Sequence, residues 1–530
     1  MASREPGPLS RGEEVEAFLE IVRGGGPGLV HLHGPEGVGK TAYLREVRLR
    51  LPGPTLHIDL PPLEEAALHA VIEREAEAVL GSFARPERPD LLPLPGMGPR
   101  WSRLLEGVLV ALAGSGGGPP GVLILDGFDD LVRARRRLPS ELVEVWERVV
   151  RRELPVHMTM VTRGRELPDA FEGFDVLDVL EGFVASGDSG ASGASGASGR
   201  SGASTASVAS SASSTRLTRL AMGPLPFRTA GWAHGASDPL DAFRRWAIFG
   251  DHPAHLPKRP VGSKPSRPST ESLAASVIRR VLEPSGDLFD APLRRLRGVV
   301  NAPARYAGIL AAVAGDDRDW SGMAEALGGG PGSRLAPYIQ RLEAEGLLAV
   351  RLPLEAPEGS RRRRYGPVDP FFSFWFRFVL PARSRLLRES PTRVWREAIE
   401  PGLDAHLDRW LAEAGRRWLA NHAGEALPAP ARVAGGLWGD EVDFEIVGRL
   451  ENGQVCYGAV QRGSGPAGPE LMAEARRRMD RTRFGIGRQA RAPLIFVRGE
   501  PSAELRREVA REPLAELIGP ERLMGAAPPW

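Results

Sequence analysis

The stretch Gly28-Leu29-Val30-His31-Leu32-His33-Gly34-Pro35-Glu36-Gly37-Val38-Gly39-Lys40-Thr41 decides the fold of the first part of this chain. Gly28–His33 is a short, mostly apolar run and reads as a strand, and a helical pattern begins at Lys40. Between them, Gly34, Pro35, Glu36, Gly37, Val38, Gly39, Lys40 and Thr41 satisfy G-x-x-x-x-G-K-[ST], the P-loop pattern. Glycines at these positions let backbone N–H groups turn inward around phosphates, and the helix N-terminus adds the positive end of its dipole. Lys40 is then expected to reach the β- and γ-phosphates and Thr41 to ligate magnesium, so ATP with Mg2+ is the expected cofactor pair. The bland alternative is an ordinary glycine turn. The strand before the motif and the helix after it speak for the P-loop.

Further along, Gly121-Val122-Leu123-Ile124-Leu125-Asp126 is an apolar run ending in an acid, the Walker B pattern. A fully apolar strand is expected to be central in a parallel sheet. Asp126 is the second expected magnesium-holding residue. Many ATPases place a Glu after this Asp to polarise the attacking water; here Gly127 follows. Asp129 and Asp130 come next, either as substitutes for that Glu or as solvated N-cap residues of the following helix. A third strand is expected over 156–161. Thr162 and Arg163 at its end sit where such folds place a γ-phosphate sensor, or they simply close the strand.

With 530 residues the chain needs several domains. The expected layout is a P-loop ATPase core over 1–184, a disordered Ser/Gly/Ala-rich tether over 185–215, and the remainder of the ATPase with a helical lid over 216–300. A winged helix-turn-helix over 301–368, a helical connector over 369–428 and a small α/β domain over 429–530 complete it. Residues 185–214 are almost entirely Ser, Gly and Ala, which cannot bury a core. The winged helix-turn-helix is read from helix, helix, glycine turn, helix and then two short strand-like runs, 347–352 and 361–365. DNA-binding candidates are Arg334, Tyr338 and Arg341 on its third helix, with Arg361, Arg362, Arg363 and Arg364 on the wing. The alternative is that this module only packs domains together.

A net charge of +2 leaves any nucleic-acid surface to a local patch. One cysteine, Cys456, rules out a disulfide framework and a cysteine-based zinc site and suits a reducing cytoplasm. The first residues have no apolar signal-peptide core. The most apolar run, 371–381, contains Arg377 and is too short to span a bilayer, so it is expected to be a buried aromatic helix.

Three segments give the chain a resemblance to the archaeal-type ATPases of the STAND/AAA+ superclass, which carry a winged helix and a C-terminal nuclease-like domain. Leu9-Ser10-Arg11-Gly12-Glu13-Glu14 resembles their "R-E-x-E" entry. Trp246-Ala247-Ile248-Phe249-Gly250-Asp251-His252-Pro253 resembles a "GGxP" segment. Arg364-Tyr365-Gly366-Pro367-Val368-Asp369-Pro370-Phe371-Phe372-Ser373-Phe374-Trp375-Phe376-Arg377-Phe378-Val379 resembles a "Y-x-x-x-D-P-F-x-x-F-W-F-R-F-V" block. The resemblance implies that Pro253 packs near adenine. It also implies that 429–530 is a restriction-endonuclease-like α/β domain of the PD-(D/E)xK type. Asp251 departs from the second glycine of that "GGxP" segment. In the last domain Asp443 matches the metal-binding Asp, but the E-x-K positions read Ala459-Val460-Gln461. A nuclease fold without nuclease activity is therefore expected, unless Asp440, Glu441 or Glu445 has taken the metal role. Three functions remain open at this level: a nucleotide-dependent switch acting on DNA or an unknown protein partner, an ATP-regulated nuclease, and a scaffold with a structural nucleotide.

Overall fold

The computed structural model describes residues 11–24, 26–80, 100–114, 118–164, 167, 169–171, 175–179, 216–257, 271–328, 335–354, 356–357, 359–439, 443–485 and 490–528. These fall into two compact units, one built from residues up to Gly223 and one from Pro224 onward. The segment 185–214, expected to be a tether, lies outside the described residues, as do Arg334, Asp440 and Glu441.

The first unit is a parallel sheet between two layers of helices. Its six strands are β1 (Gly28–His33), β2 (Thr55–Asp59), β3 (Gly121–Asp126), β4 (Val156–Thr162), β5 (Asp175–Val179) and β6 (Arg216–Ala221), in the order β2-β3-β4-β1-β6-β5. Every pairing is parallel. The sequence reading found β1, β3 and β4, whose apolar runs mark strands buried on both faces. It missed β2, whose Thr-Leu-His-Ile-Asp looks half polar, and β5 and β6, which flank the low-complexity stretch.

Alternation along β3 sends Leu123 and Leu125 to one face and Val122 and Ile124 to the other. The first face is covered by α3 (Glu65–Leu80), α4 (Arg100–Ala113) and α6 (Leu138–Arg151), through Leu68, Trp101, Leu109, Leu142 and Trp146. The second is covered by α1 (Gly12–Arg23) and α2 (Lys40–Arg50), through Phe18, Leu44 and Val47. Between β3 and α6 lies the short α5 (Phe128–Ala134). In an open parallel sheet, ligands are held at the carboxyl ends of the strands. That edge carries the loops after β1, β3 and β4.

The second unit begins with helices, including Phe227–Ala233 and Pro239–Phe249. Three helices, Pro303–Val313, Trp320–Ala326 and Ala336–Ala344, precede an antiparallel pair, β7 (Leu348–Arg351) and β8 (Arg364–Pro367). The aromatic run is helical and buried, with Phe371, Phe372, Phe374 and Trp375 in its core. No helix among the described residues is long and apolar enough to cross a membrane. The long helix Glu400–His422 packs on a mixed five-stranded sheet ordered β13-β12-β11-β10-β9. These strands are β9 (Ala431–Trp438), β10 (Asp443–Leu450), β11 (Val455–Val460), β12 (Arg491–Phe496) and β13 (Glu516–Ile518). The first three are antiparallel and the last three parallel. Trp410, Trp418, Ile446 and Phe496 fill the helix side, and Met472, Ile495 and Leu505 the other.

Candidate functional site

The loop after β1 is held by short-range backbone chemistry. Gly34 N–H donates to Thr162 O at 3.3 Å, joining the start of the loop to the end of β4. A Cβ at Gly34 would lie 2.1 Å from Met222 O, so no side chain fits there. Gly37 and Gly39 have φ of 81° and 90°, a region where glycine carries no steric penalty. Lys40 Nζ donates to Gly34 O at 2.5 Å and to Pro35 O at 3.0 Å, folding its ammonium back over the loop. Arg11, from the segment before α1, donates to Val38 O at 3.1 Å and to Gly223 O at 2.7 Å, so it straps the loop to the chain leaving β6. Burial lowers the Lys40 ammonium to about 8; Asp126 and Asp129 oppose the shift and Arg163 adds to it.

Thr41 Oγ1 donates to Asp126 Oδ2 at 3.0 Å, and His57 Nε2 lies 3.5 Å from the same oxygen. Burial alone would raise the Asp126 carboxyl, but the neighbouring His57, the hydrogen bond from Thr41 and the charge of Lys40 hold it below its ordinary range. A hydroxyl and a carboxylate brought together beside an ammonium are a suitable donor set for a magnesium ion and a phosphate oxygen. Thr41 and Asp126, expected to share a metal, are therefore adjacent. His57 escaped the sequence reading because β2 did.

Gly127 has a structural reason to be glycine. Its φ is 89°, and a Cβ would come 2.4 Å from Leu60 O. A glutamate cannot stand there without moving the backbone between β2 and α5. Asp129 and Asp130 follow on α5, and both engage Arg163: Asp129 Oδ2 accepts the Arg163 backbone N–H at 2.6 Å, and Asp130 Oδ2 accepts from Arg163 Nη2 at 2.5 Å. Thr162 and Arg163, grouped in the sequence reading, diverge. Thr162 alternates with Met158 and Met160 onto the face covered by α3, α4 and α6. There it donates to Gly164 O at 2.6 Å and meets buried His31 Nε2 at 2.7 Å. Arg163 is the one whose charge is felt at Lys40.

In the second unit, Pro253 opens the short turn Pro253–His255. The segment that ends at Pro253 and the family-like segment 364–379 pack on each other. A Cβ at Gly250, where φ is 76°, would come 2.1 Å from Asp369 Oδ1, and the His255 and Phe371 rings are 4.5 Å apart. Asp251 is 2% exposed and binds Arg417 Nη1 at 2.5 Å, while Arg417 Nε reaches Glu413 at 2.9 Å. The departure at Asp251 thus supplies the counter-charge of a partly buried arginine. Burial, with Asp251 nearby, pushes the Asp369 carboxyl up to about 8.

The described DNA-binding candidates have different neighbours. Tyr338 Oη accepts from Arg305 at 2.6 Å. Arg341 bonds Val299 O at 3.0 Å and Glu345 at 2.6 Å. Arg361, Arg362 and Arg363 are exposed on the β7–β8 connection. Arg364 instead binds Asp443 at 2.7 Å and lies 4.7 Å over the Trp438 ring. Asp443, the nuclease-type metal candidate, is thereby paired with an arginine. Glu445 is paired with Arg462, and Gln461 Oε1 accepts the N–H groups of Arg498 at 2.9 Å and Gly499 at 3.0 Å. Among the described residues no group of three or more His, Cys, Asp or Glu could hold a metal ion.

Residues 8–156 match the family model described as AAA ATPase domain, which takes in the whole P-loop and Asp126. No curated protein matches the chain. Among solved structures it is similar to the Walker-type ATPase of Pyrococcus abyssi, at 15% identity and a TM-score of 0.38, over 71% of this chain and 99% of that one. It is also similar to a STAND protein with a tetratricopeptide repeat sensor from Pyrococcus horikoshii, at 11% and 0.25, over 77% and 48%. Cdc6p of Pyrobaculum aerophilum matches at 10% and 0.28, over 75% and 96%.

Proposed function

We propose that this chain binds Mg–ATP at residues 34–41 and works as a nucleotide-dependent switch with slow intrinsic turnover. The observation that carries the reading is the Thr41–Asp126 hydrogen bond at 3.0 Å beside the Lys40 ammonium. When bound, Mg–ATP supplies a phosphoanhydride whose hydrolysis can reset a conformation. Lys40 is the cation for the phosphates, Thr41 and Asp126 hold the metal, and the Gly37 and Gly39 turns bring backbone N–H groups inward. His57 lies beside the Asp126 carboxylate.

Slow turnover follows from Gly127. It has no side chain to orient water, and Asp129 and Asp130 are committed to Arg163. A positioned general base is typically worth ~10²–10⁴ in rate. The purified protein is expected to release phosphate from ATP well below one turnover per second. Gly127→Glu is expected to lower stability rather than raise the rate, because of the contact with Leu60 O. Phosphate release at several per second by the wild type would contradict the slow-switch reading, and Asp129→Ala would then show whether Asp129 had supplied the base.

A second reading, coupling to DNA, draws on the helices 303–344 and the β7–β8 pair read as a winged helix. The exposed Arg361, Arg362 and Arg363 support it. If these contact phosphates, log affinity falls linearly with log salt, and each contact removed flattens the slope by ~0.9. Replacing the three with Ala is expected to flatten it by roughly 2–3 units. Absence of binding at low salt would leave a protein partner as the output. For residues 429–530 we retain a nuclease-like fold without nuclease activity. The pairing of Asp443 and Glu445 with arginines supports it, because metal binding would have to displace those arginines.

A further inference from the structure

Asp129 and Asp130 are the two acids that follow Gly127, and Arg163 bonds to both. Asp130 is 5% exposed and divides its oxygens between two arginines. Oδ2 accepts from Arg163 Nη2 at 2.5 Å, and Oδ1 accepts from Arg133 Nη1 at 2.9 Å. Arg133 stands one turn along α5 and is largely exposed, so it can stay on Asp130 whatever β4 does. A buried carboxylate left alone is strongly unfavourable. With Arg133 in place, Arg163 can leave without creating one. The Asp129 bond to the Arg163 backbone N–H does not involve the guanidinium, so the strand end stays anchored while the side chain moves.

We propose that Arg163 is an exchangeable latch, closed on Asp130 in the nucleotide-free protein and transferred to the triphosphate on binding, with Arg133 keeping Asp130 compensated. The inference rests on the reading of residues 34–41 as an ATP site. Its physical basis is a competition for one guanidinium between two anions, a carboxylate already half satisfied and a polyphosphate carrying more charge. Geometry supports it: Thr162 O accepts the Gly34 N–H at 3.3 Å, so Arg163 follows directly on the residue bonded to the start of the P-loop, and its charge acts against that of Lys40 until an anion is shared between them. Exchange would release one of the two ties between α5 and the end of β4, the Asp130 side-chain bond, and leave the Asp129 backbone bond as a pivot, which gives the switch a moving part.

The latch makes a prediction of opposite sign for two neighbouring residues. Binding of a fluorescent, non-hydrolysable ATP analogue with magnesium is measured for the full chain. Asp130→Asn removes the competing charge and keeps the shape, so affinity is expected to rise about threefold to tenfold. Arg133→Ala leaves Asp130 dependent on Arg163, so affinity is expected to fall by a similar factor. Arg163→Ala should weaken binding and make both changes silent when combined with either. Hydrogen exchange in α5 of the nucleotide-free protein should rise in Asp130→Asn, which a purely local effect on the nucleotide would not produce. If both variants weaken binding, or neither changes it, while binding remains dependent on Lys40, the latch is wrong and the ATP site stands. If the wild type binds no nucleotide, the ATP-site reading itself fails and the latch falls with it.

Discussion

Lys40→Ala lowers the affinity for Mg–ATP by ~10–10² or more, while the protein stays folded. The ammonium in the free protein rests on Gly34 O and Pro35 O. Those carbonyls can accept from water once Lys40 is gone, so removal costs the fold little. The phosphates have no such substitute, and hydrogen bonds to charged groups are worth about 1.5–3 kcal/mol each. The same residue predicts a pH dependence. Burial lowers free Lys40 to about 8. A bound polyphosphate favours the charged form and must raise that value. Affinity should therefore be flat below pH 8 and fall as pH rises above it, with proton uptake on binding. Calorimetry in two buffers of different ionisation enthalpy at pH 8.5 measures the uptake, which should vanish in Lys40→Ala. Unchanged affinity in a folded Lys40→Ala protein would remove the P-loop reading altogether.

Glu413→Ala is expected to destabilise the second unit by about 3–5 kcal/mol, the cost of breaking a buried ion network from one side. Glu413 is 7% exposed. It takes Arg416 at 2.6 Å and Arg417 at 2.9 Å, with Arg351 at 3.6 Å. Arg417 and Arg351 keep Asp251 and Asp317 as second partners, which places the effect toward the lower end of that range. Asp443→Ala is the control: it removes a half-exposed partner of Arg364 and should cost under about 1 kcal/mol. Burial by itself would raise the Glu413 carboxyl, but Arg416, Arg417 and Arg351 hold it well below its ordinary 4.5. A depressed folded-state value stabilises the protein above the unfolded-state value and loses that contribution as pH falls. Wild type should thus lose stability as acid is added below pH 4.5 more steeply than Glu413→Ala. Denaturant melts of both variants against pH give the comparison, and equal losses for Glu413→Ala and Asp443→Ala would show that the network contributes no more than a surface pair.

The sequence by itself determined the features that a few consecutive residues can encode. Gly37 and Gly39 mark turns that other residues enter only with strain, and the runs ending at His33 and Asp126 mark strands buried on both faces. Residues 302–345 read as helices broken by a glycine turn. These are legible because backbone conformation and burial leave local patterns. What Gly127 excludes, which partner Asp251 and Asp443 take, and which partners the Thr162 and Arg163 side chains meet were decided by tertiary structure. Asp251 meets Arg417 across 166 residues of sequence, and Arg364 meets Asp443 across 79. Strand alternation sends Thr162 to His31 and leaves Arg163 to Asp130, a division that the dipeptide does not carry until the neighbouring strands are in register. A charge in a sequence states what chemistry is available; only the packing of distant segments settles which opposite charge it meets, and therefore whether it serves a ligand or the protein itself.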